Sequence, residues 1–125
     1  MNLLLDTHTV IWALSNAPTL SPRAREVITR GENLVFVSTA SAWEIAIKKR
    51  LGKLIAPDDY LEQLERHRFI SLDISAGHAL AVEHLPDLHR DPFDRILVAQ
   101  AMLEKLTLVT RDAMIPRYGV PIVLA

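Results

Sequence analysis

The chain has 125 residues, half of them hydrophobic, which suits a single domain with one packed core. Fourteen basic and fifteen acidic residues give a formal charge of −1, and the absence of cysteine excludes a disulfide framework or a thiolate metal site. No apolar run approaches the roughly 20 residues needed to cross a bilayer, and Asp6 interrupts the apolar start before a signal-peptide core forms. We therefore expect one cytoplasmic domain over residues 1–125.

Short apolar runs alternate with amphipathic patterns along the chain, an order typical of an α/β domain with a parallel sheet. The predicted strands are residues 3–5, 34–37, 69–74, 107–110 and 122–124. The first predicted helix begins at residue 9. The other predicted helices cover residues 22–29, 41–51, about 57–66, 75–84 and 91–105. Ser21-Pro22 predicts a helix start and Gly52 a helix end. The whole pattern predicts about five parallel strands flanked by helices.

Four acids lie beside segments where a carboxylate is costly without a partner. Asp6 follows the first predicted strand, Glu44 interrupts an apolar part of the 41–51 helix, Asp94 falls in the first turn of the 91–105 helix, and Asp112 follows the fourth strand. Parallel strands end at a common edge where such folds bind ligands, so these groups can meet there. Carboxylates brought together repel unless a cation lies between them. The four acids therefore predict a divalent-metal site and a metal-dependent enzyme.

Three of these acids also have purely structural explanations. Asp6 suits the N-cap of the helix that follows it. Glu44 precedes Lys48 by four residues, a spacing that favours a surface ion pair. Asp112 suits a turn after a strand. Each explanation is adequate for its own residue, so the case for a site depends on the acids occurring together.

The fourth acid belongs to a helix-start pattern. Asp91-Pro92-Phe93-Asp94 is typical of an N-cap at Asp91, a proline in the first helical position and an acid in the first turn. Capping explains Asp91 well but Asp94 only in part, because Asp94 shares a helical face with residues expected to point inward. Asp91 remains open as either a cap or a competing ligand.

Four segments resemble, in order and placement, the PIN domain, and more narrowly the VapC-type ribonuclease toxins of bacterial type II toxin–antitoxin pairs. They are Leu-Leu-Asp-Thr-His at 4–8, Ser-Ala-Trp-Glu-Ile-Ala-Ile-Lys at 41–48, His-Arg-Asp-Pro-Phe-Asp-Arg at 89–95 and Leu-Val-Thr-Arg-Asp at 108–112. The resemblance covers residues 3–123, and the Trp-Glu-Ile and Asp-Pro-Phe-Asp-Arg segments are its most specific parts. It implies a PIN-like fold with a central parallel sheet.

The resemblance also implies a function and a set of site residues. The family's acidic site falls on Asp6, Glu44, Asp94 and Asp112, with Asp91 as the cap. A Mg²⁺ or Mn²⁺ cofactor, an RNA substrate, endoribonuclease activity, a small VapB-like antitoxin protein as partner and a homodimer are implied with it. Four carboxylates without cysteine suit magnesium or manganese better than zinc.

Four further residues adjoin these acids in the sequence. Thr7 and Thr110 are candidate hydrogen-bond partners of the ligands, although either hydroxyl also suits a strand-end cap. Arg95 and Arg111 are candidate phosphate-holding groups, and Arg95 has an alternative ion pair with Asp91 four residues earlier.

Rival functions differ in what they require of these positions. A phosphoacceptor signalling domain expects an acidic pair after the first strand, and a dehalogenase-type phosphatase expects an acid two residues after Asp6, where this chain has His8. Both expectations fail. Two alternatives remain: a solitary PIN-type RNA-processing nuclease without an antitoxin, and a non-catalytic PIN-like interaction module.

Overall fold

The strands form one five-stranded sheet at the centre of the protein. The computed structural model describes every residue from Met1 to Ala125. The strands are β1 (Asn2–Leu5), β2 (Leu34–Ser38), β3 (Ile70–Leu72), β4 (Thr107–Thr110) and β5 (Ile122–Leu124). All neighbouring strands are parallel, in the order β3-β2-β1-β4-β5. The predicted α/β class and the five-stranded parallel sheet are confirmed.

Six helices and two 3-10 turns connect the strands. The helices are α1 (Thr7–Leu14), α2 (Pro22–Thr29), α3 (Thr39–Arg50), α4 (Tyr60–Arg66), α5 (Ala76–Ala81) and α6 (Pro92–Glu104), and the 3-10 turns cover Val82–His84 and Ile115–Tyr118. Helices α1 and α3 begin earlier than predicted because Asp6 and Ser38 act as their N-caps. The second 3-10 turn was not predicted, since a four-residue turn leaves no periodic pattern.

Alternating side chains of β1 divide the core between the two faces of the sheet. Leu3 and Leu5 pack with Val27 of α2 on one face, whereas Leu4 packs with Leu97 of α6 on the other. All three leucines of β1 are fully buried, so this strand is covered on both faces by helices. This arrangement explains why the first strand is a continuous apolar run rather than an alternating one.

The strand register brings distant parts of the chain together at the carboxyl edge of the sheet. Leu5 lies opposite Val37 of β2 on one side and Val109 of β4 on the other. The chain runs outward from β1 through β2 to β3 and then crosses back to β4, so the order reverses at β1. Parallel sheets form a ligand-binding crevice at such a reversal. No helix has the length and apolar character required to cross a membrane.

Candidate functional site

All four predicted acids line one cavity at this carboxyl edge. The cavity has a volume of about 210 Å³. Its ten lining residues are Asp6, Thr7, His8, Trp12, Glu44, Lys48, Asp91, Asp94, Arg111 and Asp112. We call it the acid cavity. A larger cavity of about 380 Å³ has no acidic residue in its lining and is not a candidate for a carboxylate metal site.

Asp6 is both a helix cap and a wall of the acid cavity. Its Oδ1 accepts hydrogen bonds from the Thr9 backbone N–H at 3.0 Å and from Thr9 Oγ1 at 2.6 Å. The Thr9 hydroxyl also lies 3.1 Å from the carbonyl oxygen of Val109 in β4. Because Oδ2 has no donor within the protein, capping leaves one carboxylate oxygen free for another ligand. The two explanations of Asp6 are therefore compatible.

Glu44 is buried in the cavity wall with both of its oxygens bound. Only 6% of the residue is exposed. Oε1 accepts a hydrogen bond from Thr7 Oγ1 at 2.6 Å, and Oε2 lies 2.5 Å from Lys48 Nζ. The Thr7 hydroxyl is also 3.0 Å from that of Ser41. A buried carboxylate requires partners of this kind, so Thr7 and Lys48 together hold Glu44 in one orientation.

Lys48 provides a positive charge at the acid cavity. Its hydrogen bond to Glu44 raises the pKa of the Lys48 ammonium; burial opposes this rise, and the charges of Asp91 and Asp94 add to it. The predicted ion pair between Glu44 and Lys48 therefore exists, but it lies within the cavity rather than on an unrelated surface.

Asp94 has no such partners. Asp91 caps α6 by accepting hydrogen bonds from the backbone N–H groups of Phe93 at 2.8 Å and Asp94 at 3.3 Å. The carboxylate of Asp94 accepts no hydrogen bond from any group of the protein. Burial raises the pKa of Asp94 to about 6, the charges of Asp91, Glu44 and Asp112 contribute to the rise, and His89 opposes it. Asp94 thus lies in an environment that disfavours its own ionisation.

Asp112 is oriented by two hydrogen bonds. Oδ1 accepts the Met114 backbone N–H at 2.9 Å, and Oδ2 lies 2.6 Å from His89 Nε2. Burial by itself favours the neutral acid, but the Met114 N–H and His89 outweigh it and lower the pKa of Asp112. Thr110 Oγ1 accepts the Asp112 backbone N–H at 3.1 Å, so this hydroxyl shapes the turn after β4.

His89 is a site residue that sequence reasoning did not identify. One possible ligand atom from each of His89, Asp94 and Asp112 lies within 4.8 Å of the other two, a grouping that suits a metal ion. In the sequence, His89 lies two residues before the Asp-Pro-Phe-Asp segment, and this position was the available indication that it belongs to the site. Its spacing from other histidines gave no indication, because its partners are a carboxylate and a tyrosine far along the chain.

The two arginines have different positions. Arg95 does not line the acid cavity, and its role in holding phosphate stays a prediction. Its guanidinium donates to the carbonyl oxygens of Pro86 at 2.9 Å and Val82 at 3.0 Å, which fixes the loop before α6. The alternative ion pair of Arg95 with Asp91 is also absent.

Arg111 does line the acid cavity, as expected for a residue beside Asp112. Its guanidinium carbon lies 4.7 Å from the centre of the Trp12 ring, and Nε donates to the carbonyl oxygen of Ala125 at 3.0 Å. Part of its hydrogen-bonding capacity is therefore used within the protein, while its charge stays beside the acids.

The donors in the acid cavity fit a divalent metal ion. Asp6 has a free carboxylate oxygen, Asp94 is unpartnered, and Asp112 faces Asp94 with a histidine nitrogen nearby. Without a cation, each neighbouring carboxylate increases the free energy needed to ionise Asp94. A bound cation has the opposite effect and favours the ionised carboxylate.

Comparisons with known proteins establish the family. The PIN domain profile matches residues 3–121, and this chain belongs to the PIN domain family. Ribonuclease VapC22 of Mycobacterium tuberculosis is 30% identical over 114 residues, covering 88% of this chain and 86% of that protein. The family resemblance inferred from the four sequence segments is thereby confirmed.

Solved structures support the same fold. VapBC2 from Rickettsia felis, bound to a DNA fragment from its promoter, has a chain that matches with a TM-score of 0.72 and 19% identity over 98% of both chains. DNA-bound VapBC from Salmonella typhimurium matches with a TM-score of 0.68 and 21% identity, covering 98% of this chain and 97% of that one. At these identities the likeness shows a shared fold.

Proposed function

We propose that this protein is a divalent-metal-dependent endoribonuclease that hydrolyses RNA phosphodiester bonds and acts as the toxin of a toxin–antitoxin pair. The observation that supports the metal most strongly is the Asp94 carboxylate. It is half-buried, accepts no hydrogen bond from the protein and has a pKa raised to about 6 by burial and by neighbouring acids. A cation is the partner that such a group lacks.

The proposed metal ligands are Asp6, Glu44, Asp94 and Asp112. An oxygen-rich site of this kind suits a hard ion such as Mg²⁺ or Mn²⁺. When bound, the ion supplies Lewis acidity: it lowers the pKa of a water molecule and neutralises charge on the phosphate. Thr7 acts on the site through Glu44, which it orients with a 2.6 Å hydrogen bond.

Two basic residues of the cavity bind the substrate, and Glu44 orients the water that attacks it. Lys48 and Arg111 place positive charge beside the acids and hold a backbone phosphate of RNA. Glu44 is fixed by Thr7 and Lys48, and it orients the attacking water towards phosphorus. In hydrolysis the water oxygen forms the new bond to phosphorus and gives up one proton to solvent. The bond from phosphorus to one sugar oxygen breaks, and that oxygen takes up a proton from solvent.

The biological role is proposed from the relatives. The protein with 30% identity is named a ribonuclease of the VapC group, and the solved structures with this fold include VapBC assemblies. By analogy, this chain pairs with a small VapB-like antitoxin protein in the cytoplasm and forms a homodimer. A solitary RNA-processing nuclease would use the same site without an antitoxin.

The test of catalysis compares RNA cleavage by the purified protein in Mn²⁺ or Mg²⁺ with cleavage in excess chelator. Asp6→Asn is an informative variant, because asparagine is also a good N-cap and the fold should be retained. We expect cleavage to need the ion and to be lost in Asp6→Asn while the far-ultraviolet circular dichroism stays unchanged. Equal cleavage in chelator would refute the metal mechanism.

The test of the toxin role is induced expression in a bacterial host. We expect growth arrest that is relieved by co-expression of a small antitoxin protein encoded beside this gene and that is absent for Asp6→Asn. Active nuclease without arrest would favour the solitary RNA-processing enzyme.

A further inference from the structure

His89 is held at both nitrogens and on one ring face. Nε2 lies 2.6 Å from Asp112 Oδ2, and Nδ1 lies 2.7 Å from the hydroxyl oxygen of Tyr118. The imidazole stacks on the Tyr118 ring, with centroids 5.5 Å apart and planes at 23°. Only 11% of the His89 side chain is exposed. A histidine fixed in this way has a defined direction for Nε2, and that direction leads to the Asp112 carboxylate.

The distances suit joint binding of one ion. The ligand atoms of His89, Asp94 and Asp112 lie within 4.8 Å of one another. Metal–ligand bonds of about 2.0–2.2 Å place two ligands of one ion about 3–4.4 Å apart. Small side-chain movements are therefore enough to bring the three atoms around one ion. We propose that His89 is a nitrogen ligand of the metal, an inference that rests on the proposed metal-dependent function.

Tyr118 allows His89 to take the tautomer that metal binding needs. A carboxylate only accepts hydrogen bonds, so in a neutral ring without an ion Nε2–H donates to Asp112 and Nδ1 accepts from the Tyr118 hydroxyl. As a ligand, Nε2 carries no proton, and the Nδ1–H donates to the same hydroxyl, which can also accept. Metal-bound histidines characteristically donate their second N–H to such a partner. Tyr118 is thus a positioning residue for either tautomer.

A nitrogen ligand changes which ion the site prefers. Mg²⁺ selects oxygen ligands, whereas imidazole suits the first-row transition ions better. With His89 bound, the acid cavity favours Mn²⁺ over Mg²⁺ more strongly than four carboxylates alone would. The preference for Mn²⁺ distinguishes a His89 that binds the ion from a His89 that only orients Asp112. Loss of that orientation alone would weaken the binding of Mn²⁺ and Mg²⁺ equally.

His8 provides a matched control. It lines the acid cavity, which His89 does not, and it is exposed, with its ring 5.8 Å from the Trp12 ring. Its side chain makes no hydrogen bond to any of the acids. If Mn²⁺ binding depended only on having an imidazole nearby, substitution of His8 and of His89 would change it in the same way. Direct ligation predicts a change only when His89 is replaced.

The experiment is pulsed electron paramagnetic resonance of the purified protein loaded with Mn²⁺ alone. We expect imidazole ¹⁴N coupling in the wild type and in His8→Gln, and its loss in His89→Gln. Titration calorimetry should then give Mn²⁺ binding weakened roughly tenfold or more in His89→Gln, with Mg²⁺ binding changed less. Tyr118→Phe should keep the ¹⁴N coupling and weaken Mn²⁺ only a few-fold.

The wild-type spectrum decides the point without any variant. Bound Mn²⁺ with no ¹⁴N coupling would overturn the ligand role of His89 and leave the proposed nuclease intact. Coupling that survives in folded His89→Gln, or equal weakening of Mn²⁺ and Mg²⁺, would also overturn it. A wild-type protein that binds neither ion would refute the proposed function together with this inference.

Discussion

Glu44 and Asp94 lie in the same cavity, yet the protein treats their charges in opposite ways. Glu44 is nearly inaccessible and has a donor for each oxygen, from Thr7 and Lys48. Asp94 is more accessible and has no donor from the protein, and other acids surround it. The protein thus compensates the charge of Glu44 with its own groups, whereas the charge of Asp94 has no compensating donor within the protein.

The largest expected effect concerns the acid without partners. We expect Asp94→Asn to reduce metal-dependent RNA cleavage by roughly a thousandfold or more, because an amide is a poor ligand and carries no charge to balance the ion. Asp91→Asn is the matched control three residues away, since asparagine keeps the cap. Its rate should stay within a few-fold of the wild type in a single-turnover cleavage assay. Comparable losses in both variants would make Asp91 part of the metal site.

The next effect concerns the acid with internal partners. Thr7→Val should lower the free energy of unfolding by about 1.5–3 kcal/mol, because buried Glu44 loses a hydrogen bond to a charged group. Thr7→Ser keeps the hydroxyl and should cost less than about 1 kcal/mol. Urea unfolding in excess chelator measures both values. A serine variant as unstable as the valine variant would assign the loss to packing of the Thr7 methyl group.

The stability of the protein should also depend on pH through Asp94. The carboxyl has a pKa of about 6 when folded and an ordinary value of 3.8 when unfolded. Between these values the folded state binds more protons, so the free energy of unfolding falls as pH rises. Asp94→Asn removes this loss and should be more stable than the wild type by about 1–2 kcal/mol above pH 6.

The higher stability of Asp94→Asn should depend both on pH and on the metal ion. Urea unfolding in excess chelator should show the advantage of Asp94→Asn shrinking through the window from pH 6 to 3.8 and vanishing below it. Added Mn²⁺ should stabilise the wild type more than the variant, because it binds the folded state. A variant less stable than the wild type at pH 7.5 in chelator would contradict the proposed cost of ionising Asp94.

The smallest effect concerns the cation beside Glu44. Lys48→Gln should weaken RNA binding a few-fold in excess chelator and reduce the salt dependence by about one phosphate contact. Lys49→Gln is the control, since Lys49 pairs with exposed Asp58 and does not line the acid cavity. Binding measured over a range of salt concentrations separates the two variants. Identical salt slopes for both would remove Lys48 from the phosphate contacts.

Much of the fold follows from local patterns in the sequence. The run at residues 3–5 and the β-branched run at 34–37 predict strands, and Ser21-Pro22 and Asp91-Pro92 predict helix starts that the structure confirms. The predicted helix starts differ from the observed ones by a few residues where an N-cap starts the helix earlier. Asp6 starts α1 directly after β1, so no loop separates them. Cap geometry depends on the backbone angles of one residue, which a periodic pattern does not record.

The site was harder to predict because its contacts are tertiary. The four acids were found from their places beside apolar segments, and the cavity brings them together. His89 was missed because its two partners lie 23 and 29 residues further along the chain. The position of Arg95 could not be predicted, because adjacency to Asp94 in a helix does not determine where a long side chain points. Its guanidinium donates to the carbonyl oxygens of Pro86 and Val82.

The central position of β1 has a consequence for the time at which activity arises. Asp6 is synthesised well before Asp112, and β1 lacks its neighbour on one side until β4 has also left the ribosome. Pairings between such distant segments form late, because closing a long loop costs entropy before contacts repay it. A growing chain therefore carries no assembled acid cavity. On the proposed function, we therefore expect no RNA cleavage by a chain that is still attached to the ribosome.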